Sequence, residues 1–212
     1  MTGLRGIVLF GDVVRSRDDL SRSTDWLRTL IEELERVYPP SARLASFAFT
    51  QGDELQALLR PSADPFEAVL RGTLHEDARP MRWAIAVGGV EPGRGPATQR
   101  TGTAFLAARA LLETARARRE GLLVTVGADP ADELLAELAP LLVDLLADLT
   151  ERQREIARLM LVDGLRQSEV AERLDVSRAT ISVMAERARI RRIGGLVAVL
   201  RRIVSDAAGG DA

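Results

Sequence analysis

The 212-residue chain has no cysteine, which removes disulfide bonds and thiolate metal sites from consideration. It has one histidine, His75, in the polar stretch LHEDARP. One ring is too few for a zinc site, so His75 reads as a surface residue. Lysine is absent: all 29 basic residues are arginine, a bias of genomic base composition rather than of function. No apolar run reaches the roughly 20 residues of a membrane span. The N-terminus also lacks the charged-then-apolar pattern of a secretory signal. The expectation is a cytoplasmic protein without membrane association. At 46% hydrophobic and 28% charged the chain can bury a core and stay soluble, and its length suits one large domain or a medium one plus a small one. A net charge of −2 conceals an asymmetry. Residues 149–212 carry 12 arginines against 9 acids, net +3, and the rest carries 17 against 22, net −5. The C-terminal segment is therefore the candidate for a polyanionic partner.

Hydrophobic periodicity outlines the elements. Residues 4–14 read as a strand around Ile7, Val8, Leu9 and Phe10. Residues 24–37 read as a helix with Leu27, Leu30, Ile31 and Leu34 on one face and Pro39-Pro40 as its stop. ARLASFAFTQGDELQALLRP places two apolar stretches around a polar turn with Gly52, a hairpin pattern. A second helix begins near Pro65, with Phe66, Val69 and Leu70 apolar. MRWAIAVGGV alternates Trp83, Ile85 and Val87, a strand. A loop, EPGRGPATQRTG, leads to a helix at 103–118 with Phe105, Ala108, Leu112 and Ala115 inward, and LLVTV at 122–126 is a strand. The order β-α-β-β-α-β-α-β suits a ferredoxin-like α+β layer, helices on one face of a mostly antiparallel sheet.

After Asp129-Pro130 the pattern becomes helical only. The expected organisation is an α+β domain over 1–128, a helical linker over 129–148 broken or restarted at Pro140, an all-α domain over 149–204, and a disordered tail over 205–212.

The first strand ends in FGDVVRSR, with Asp12 where an apolar strand would not place a charge. If that strand is central, the hairpin lies beside it and brings Asp53 of TQGDEL toward Asp12. Two neighbouring carboxylates repel unless a cation sits between them. Mg²⁺ or Mn²⁺ suits such a pair, since Mg²⁺ takes one or two carboxylates and accepts phosphate oxygens. Glu54 is a candidate third ligand unless strand alternation turns it away. Gly11 and Gly52 would admit phosphates or backbone carbonyls closely. The plain alternative is two ordinary turn aspartates, Gly-Asp being common in turns.

FGDVVRSR, TQGDELQALL, RWAIAVGGV and RTGTAFLAARALLETA, in that order, resemble successive blocks of class III nucleotidyl cyclase domains, and QGDEL is similar to the metal-binding hairpin of diguanylate cyclases. With its C-terminal extension the chain resembles the SatD family of bacterial proteins. The cyclase likeness covers about residues 4–126 and the SatD likeness nearly the whole chain. The resemblance implies that Asp12 and Asp53 are metal-binding aspartates and that Arg109 contacts a nucleotide triphosphate. Two departures oppose turnover. Phe105 stands where the cyclase pattern has a ribose-orienting asparagine, and the purine-reading lysine before the hairpin is missing from FAFTQGD. The implication is nucleotide or metal sensing, or lost activity. The Phe105 ring is expected against the sheet beside Trp83 or Ile85. Arg109 has an alternative partner in Glu113, four residues on along the helix.

LTERQREIARLMLVDGLRQSEVAERLDVSRATISVMAERARIRRI is the most specific stretch. Thr150 is a helix N-cap, Ile156, Leu159 and Met160 line the first helix, and Gly164 ends it. Val170, Ala171 and Leu174 face inward on a short second helix. DVS turns, and Ser177 caps a third helix with Ile181, Met184 and Ala188 inward. This spacing resembles the region-four helix-turn-helix of sigma factors and LuxR-like regulators. In such a motif the start of the third helix enters the major groove. Arg178, Ala179, Thr180 and Ser182 would face out there, Arg178 toward a guanine and Thr180 toward a thymine methyl or a phosphate. Arg187, Arg189, Arg191 and Arg192 suit phosphates. A three-helix interaction module with a solvated basic face is the alternative. Leu134, Leu138, Leu141 and Leu145, in 4-3-4 spacing, and the segment GGLVAVLRRIV could each serve a homodimer or dock within the chain.

The sequence thus points to a regulator that binds double-stranded DNA, dimeric, with a degenerate cyclase-like domain sensing a nucleotide or divalent metal. The alternatives are a metal-dependent nucleotide enzyme localised by its helix-turn-helix, and an adaptor that does neither.

Overall fold

A computed structural model of the chain describes residues 4–14, 20–50 and 54–209, with backbone only over 20–24. Gly52 and Asp53 lie outside the described residues. The chain is α+β. Strand β1 (Arg5–Val13) is followed by α1 (Leu20–Val37), β2 (Arg43–Phe49), β3 (Glu54–Leu59), α2 (Phe66–Leu74) and β4 (Met81–Gly89). Then come a short 3-10 turn (Ala97–Gln99), α3 (Thr103–Arg118) and β5 (Leu122–Thr125). The five strands order as β2-β3-β1-β4-β5. β1 is central and pairs antiparallel with β3 and β4, and β5 joins β4 in parallel through α3.

The predicted element order holds, but the helices do not share one face. Side chains alternate along a strand, so the two sides of β1 need separate cover. Ile7 and Leu9 face the layer of α1 and α2, joining Leu27, Leu30, Leu34, Phe66, Val69 and Trp83. Val8 and Phe10 face the other way, where α3 covers them with Ala104, Phe105, Ala108 and Leu112. The run Ile7-Val8-Leu9-Phe10 is apolar at every position because both sides of the strand are buried.

Gly11 belongs to the α1–α2 side. A Cβ there would sit 2.8 Å from the Trp83 ring, and one on Gly72 of α2 would sit 2.5 Å from it. The indole lies between the two glycines. Packing therefore accounts for Gly11 on the face opposite Asp12.

Four helices complete the described chain after α4 (Ala131–Ala147): α5 (Glu151–Leu161), α6 (Gln167–Arg173), α7 (Arg178–Arg187) and α8 (Ile190–Gly209). α4 runs unbroken through Pro140, contrary to the expected break. Proline removes one helical hydrogen bond. Buried Leu135, Ala139, Leu142 and Leu146 hold the turns on either side against the sheet and α8. Residues 205–209, expected as a disordered tail, continue α8, with Val204 and Ala208 buried. GGLVAVLRRIV docks within the chain through Val197 and Leu200. The apolar cluster continues from the α1–α2 layer through α4 to α8, so the helix-turn-helix rests on the α+β layers.

That junction is also ionic. Glu33 of α1 accepts hydrogen bonds from Arg71 of α2 at 2.7 Å and from Arg158 of α5 at 2.8 Å. Arg201 of α8 pairs with Asp64 at 2.7 Å and with Glu67 at 3.3 Å, and Arg71 binds Glu67 in turn.

Candidate functional site

Two charged regions stand out, one at the C-terminal helices and one at the end of the central strands. In the first, Thr150 caps α5 in a reciprocal capping box with Gln153. Gly164, at φ +69°, turns the chain toward α6. Asp175 takes the left-handed conformation between α6 and α7, at φ +51°. Aspartate tolerates that region better than most residues. Ser177 caps α7, accepting from the Thr180 backbone N–H at 3.1 Å. Val170, Ala171, Ile181 and Ala185 are buried where the helices cross.

The inward positions of α7 leave Arg178, Ala179, Thr180, Ser182 and Val183 on its exposed side. Thr180 is exposed as expected, but its hydroxyl lies 2.8 Å from Ser177 Oγ and is engaged in the cap. Val183, 51% exposed, is the position the sequence reading passed over. Its place one turn after Ala179 was the available signal. A large apolar side chain facing water beside Ser182 suits a thymine methyl.

At the end of α7 the chain bends sharply into α8, with Arg189 at φ +55°. A recess of about 370 Å³ at this elbow is lined by Glu186, Arg187, Arg189, Arg191 and Arg192. All four arginines are exposed, and among the described residues none forms a salt bridge. By contrast Arg166 and Arg152 are paired, with Glu169 and Glu155. The elbow therefore offers four guanidiniums with no carboxylate partner among the described residues.

The second region contains Asp12, which is 5% exposed. Its register partners are Glu54 on β3 and Arg82 on β4. Glu54 is not turned away: it is buried on the same face. Arg116 of α3 donates to both Asp12 oxygens, at 2.8 and 3.0 Å. Arg109 donates to Glu54 Oε2 at 2.5 Å, and Gln56 donates to Glu54 Oε1 at 2.7 Å. Arg109 therefore takes Glu54, not Glu113, as its partner. Its guanidinium also lies 4.8 Å over the Phe10 ring, a cation–π geometry. Phe105 is buried as expected but against Phe10, 6.0 Å between ring centroids, rather than Trp83 or Ile85. The helix α3 covers the even-numbered side of β1, and Trp83 and Ile85 face the other layer. Arg116, two turns along α3 from Arg109, was the partner the sequence reading missed. The seven-residue interval was the signal, because it returns to the same stripe of a helix.

His75 is half-buried, and its Nδ1 accepts the Asp77 backbone N–H at 3.0 Å. No helix among the described residues is long and apolar enough to cross a membrane. None of the curated proteins compared with the chain matches it. A family model, sigma-70 region 4, matches residues 132–191, from the start of α4 to the first turn of α8. The C-terminal helices thus carry a helix-turn-helix like that DNA-binding domain.

Proposed function

We propose that the chain is a transcriptional regulator that binds duplex DNA through α7, with the arginines of the α7–α8 elbow on the phosphates. The observation that carries this is the outward face of α7, where Arg178, Ala179, Ser182 and Val183 lie exposed beside four arginines that form no salt bridge among the described residues. Base-edge readers and phosphate contacts are both required, because the latter position the protein and the former specify. The likeness to sigma-70 region 4 supports the same assignment. Leu134 and Leu141, both exposed on α4, support a homodimer that would double the contact set.

The test is anisotropy of the full chain with labelled duplexes selected from a random pool at low salt. Arg178→Ala is expected to cost about 1–3 kcal/mol on the selected site and to relax preference at one base pair. Absence of duplex binding by the native chain at low salt would reject the reading.

The α+β layers support the reading of a degenerate cyclase-like domain. Phe105 offers no donor or acceptor and is buried on Phe10, and Arg109 is held by Glu54. Catalysis requires groups that bind the transition state better than the substrate. Incubation with ATP or GTP and Mn²⁺ is expected to give no cyclic product and no pyrophosphate. Multiple turnover abolished by Asp12→Asn would instead favour the nucleotide enzyme.

A further inference from the structure

Asp12 and Glu54 stand opposite each other across β1 and β3, both buried. Like charges in directly opposed strand positions destabilise a sheet. Something must therefore hold the two carboxylates together. The cyclase resemblance implies a divalent cation at Asp12 and Asp53, and Asp53 lies outside the described residues; the Asp12–Glu54 pair can be tested against the same ion. Mg²⁺ requires near-octahedral oxygen ligands at about 2.0–2.1 Å. Here both oxygens of Asp12 face the Arg116 guanidinium, and the two oxygens of Glu54 face Gln56 and Arg109. Arg116 Nη2 lies 2.8 Å from Asp12 and 3.5 Å from Glu54, so one guanidinium spans both carboxylates. Arg82 stands 3.8 Å from Asp12 on the remaining side. Among the described residues no group of three or more acidic or histidine side chains converges to hold a metal. A divalent cation entering between Asp12 and Glu54 would have to displace Arg116 while facing Arg82 and Arg109. The described side chains around Asp12 and Glu54 do not fit the ion.

We infer that Arg116 has taken the place of a divalent cation: its guanidinium bridges Asp12 and Glu54, Arg109 closes the second carboxylate, and the sheet end is held together without metal. The substitution is chemically direct. A planar guanidinium offers a fixed fork of donors that matches a carboxylate bidentately and keeps its charge at every working pH. It also explains why α3 carries two arginines on one stripe facing the sheet. Arg109 reaches β3 across Phe10, and Arg116 reaches β1 at Asp12.

The test is a Mn²⁺ titration of the full chain after chelator treatment. The electron paramagnetic resonance signal of free Mn²⁺ reports binding, and thermal melting reports stability. The native chain is expected to leave Mn²⁺ free into the millimolar range and to keep its melting temperature. Arg116→Gln removes the bridging charge at similar size. It is expected to melt lower, to take up Mn²⁺ saturably, and to recover in melting temperature as it does so. Adding Asp12→Asn to Arg116→Gln is expected to abolish that uptake. Arg116→Lys keeps a cation and is expected not to bind Mn²⁺. Saturable uptake by the native chain that Asp12→Asn removes would overturn the inference. So would an Arg116→Gln variant that folds and takes up no Mn²⁺. If Arg116→Gln does not fold, the titration of the native chain still decides, since native uptake dependent on Asp12 overturns the inference and its absence upholds it. DNA binding is not involved in either readout, so failure here is separable from failure of the regulator reading.

Discussion

Replacing Arg187, Arg189, Arg191 and Arg192 together by glutamine is expected to remove most duplex affinity and flatten its salt dependence, while leaving the fold intact. All four side chains are exposed and line one elbow, and none is in a salt bridge among the described residues. Their removal therefore breaks no ion pair among the described residues. Each guanidinium that neutralises a phosphate releases condensed counterions, and the slope of log affinity against log salt changes by roughly 0.9 per phosphate on B-DNA. Four such contacts correspond to a slope change of about 3–4, and to a loss of about a hundredfold or more near physiological salt. The measurement is anisotropy at a series of salt concentrations for the native and quadruple variants on the same duplex. Sequence preference should survive in what binding remains, because α7 still presents Arg178, Ser182 and Val183. An unchanged salt slope would show that the elbow does not meet the backbone. Loss of preference with an unchanged slope would place base readout, and not phosphate contact, at the elbow.

The second large effect is expected at Glu33. Its carboxylate ties α1 to α2 through Arg71 and to the helix-turn-helix through Arg158, with only 13% of its side chain exposed. Breaking a buried ion pair by removing one partner costs about 3–5 kcal/mol, because the other charge stays buried. Arg158 is a quarter exposed, and solvent screening brings the expected cost of Glu33→Gln to about 2–3 kcal/mol. The pH dependence follows from the same geometry. Burial pushes the Glu33 carboxyl up, but the hydrogen bonds and charges of Arg71 and Arg158 outweigh it and hold the group below its ordinary value. A carboxyl depressed in the folded state contributes stability above its unfolded value and loses it as pH falls through the folded one. The gap between native and Glu33→Gln melting temperatures should therefore be widest near neutral pH and close in acid, below about pH 4. Equal stability of the two proteins at neutral pH, or a gap that stays constant into acid, would contradict this account. Duplex affinity should also fall in Glu33→Gln if the docking of α5 sets how α7 is presented.

Much of the fold was legible because periodicity is a local property. Trp83, Ile85 and Val87 alternate, and Phe105, Ala108, Leu112 and Ala115 recur at helical spacing. Each pattern follows from the geometry of its own element. The helix-turn-helix was legible for a stronger reason. Its cap at Ser177, its glycine at Gly164 and its inward Ile181 are all set by short-range geometry within about forty residues. Pro140 was misread because a local rule was set against a non-local one. The cost of a proline inside a helix is fixed by the backbone, but the burial that outweighs it comes from the sheet and α8. The segment GGLVAVLRRIV likewise showed an apolar face without showing what would cover it.

The sequence by itself determined the strand and helix order, the α+β class, and the capped three-helix unit with arginines following it. Each of these depends on neighbours within one or two turns of chain. The tertiary structure decided which charges meet. Asp12 finds Arg116, 104 residues away, because α3 crosses the even-numbered side of β1. Glu33 finds Arg158, 125 residues away, because α5 docks on α1 and α2. An ion pair is chosen by distance in space and by the cost of leaving a buried charge alone. Neither quantity is written in the spacing of residues along the chain.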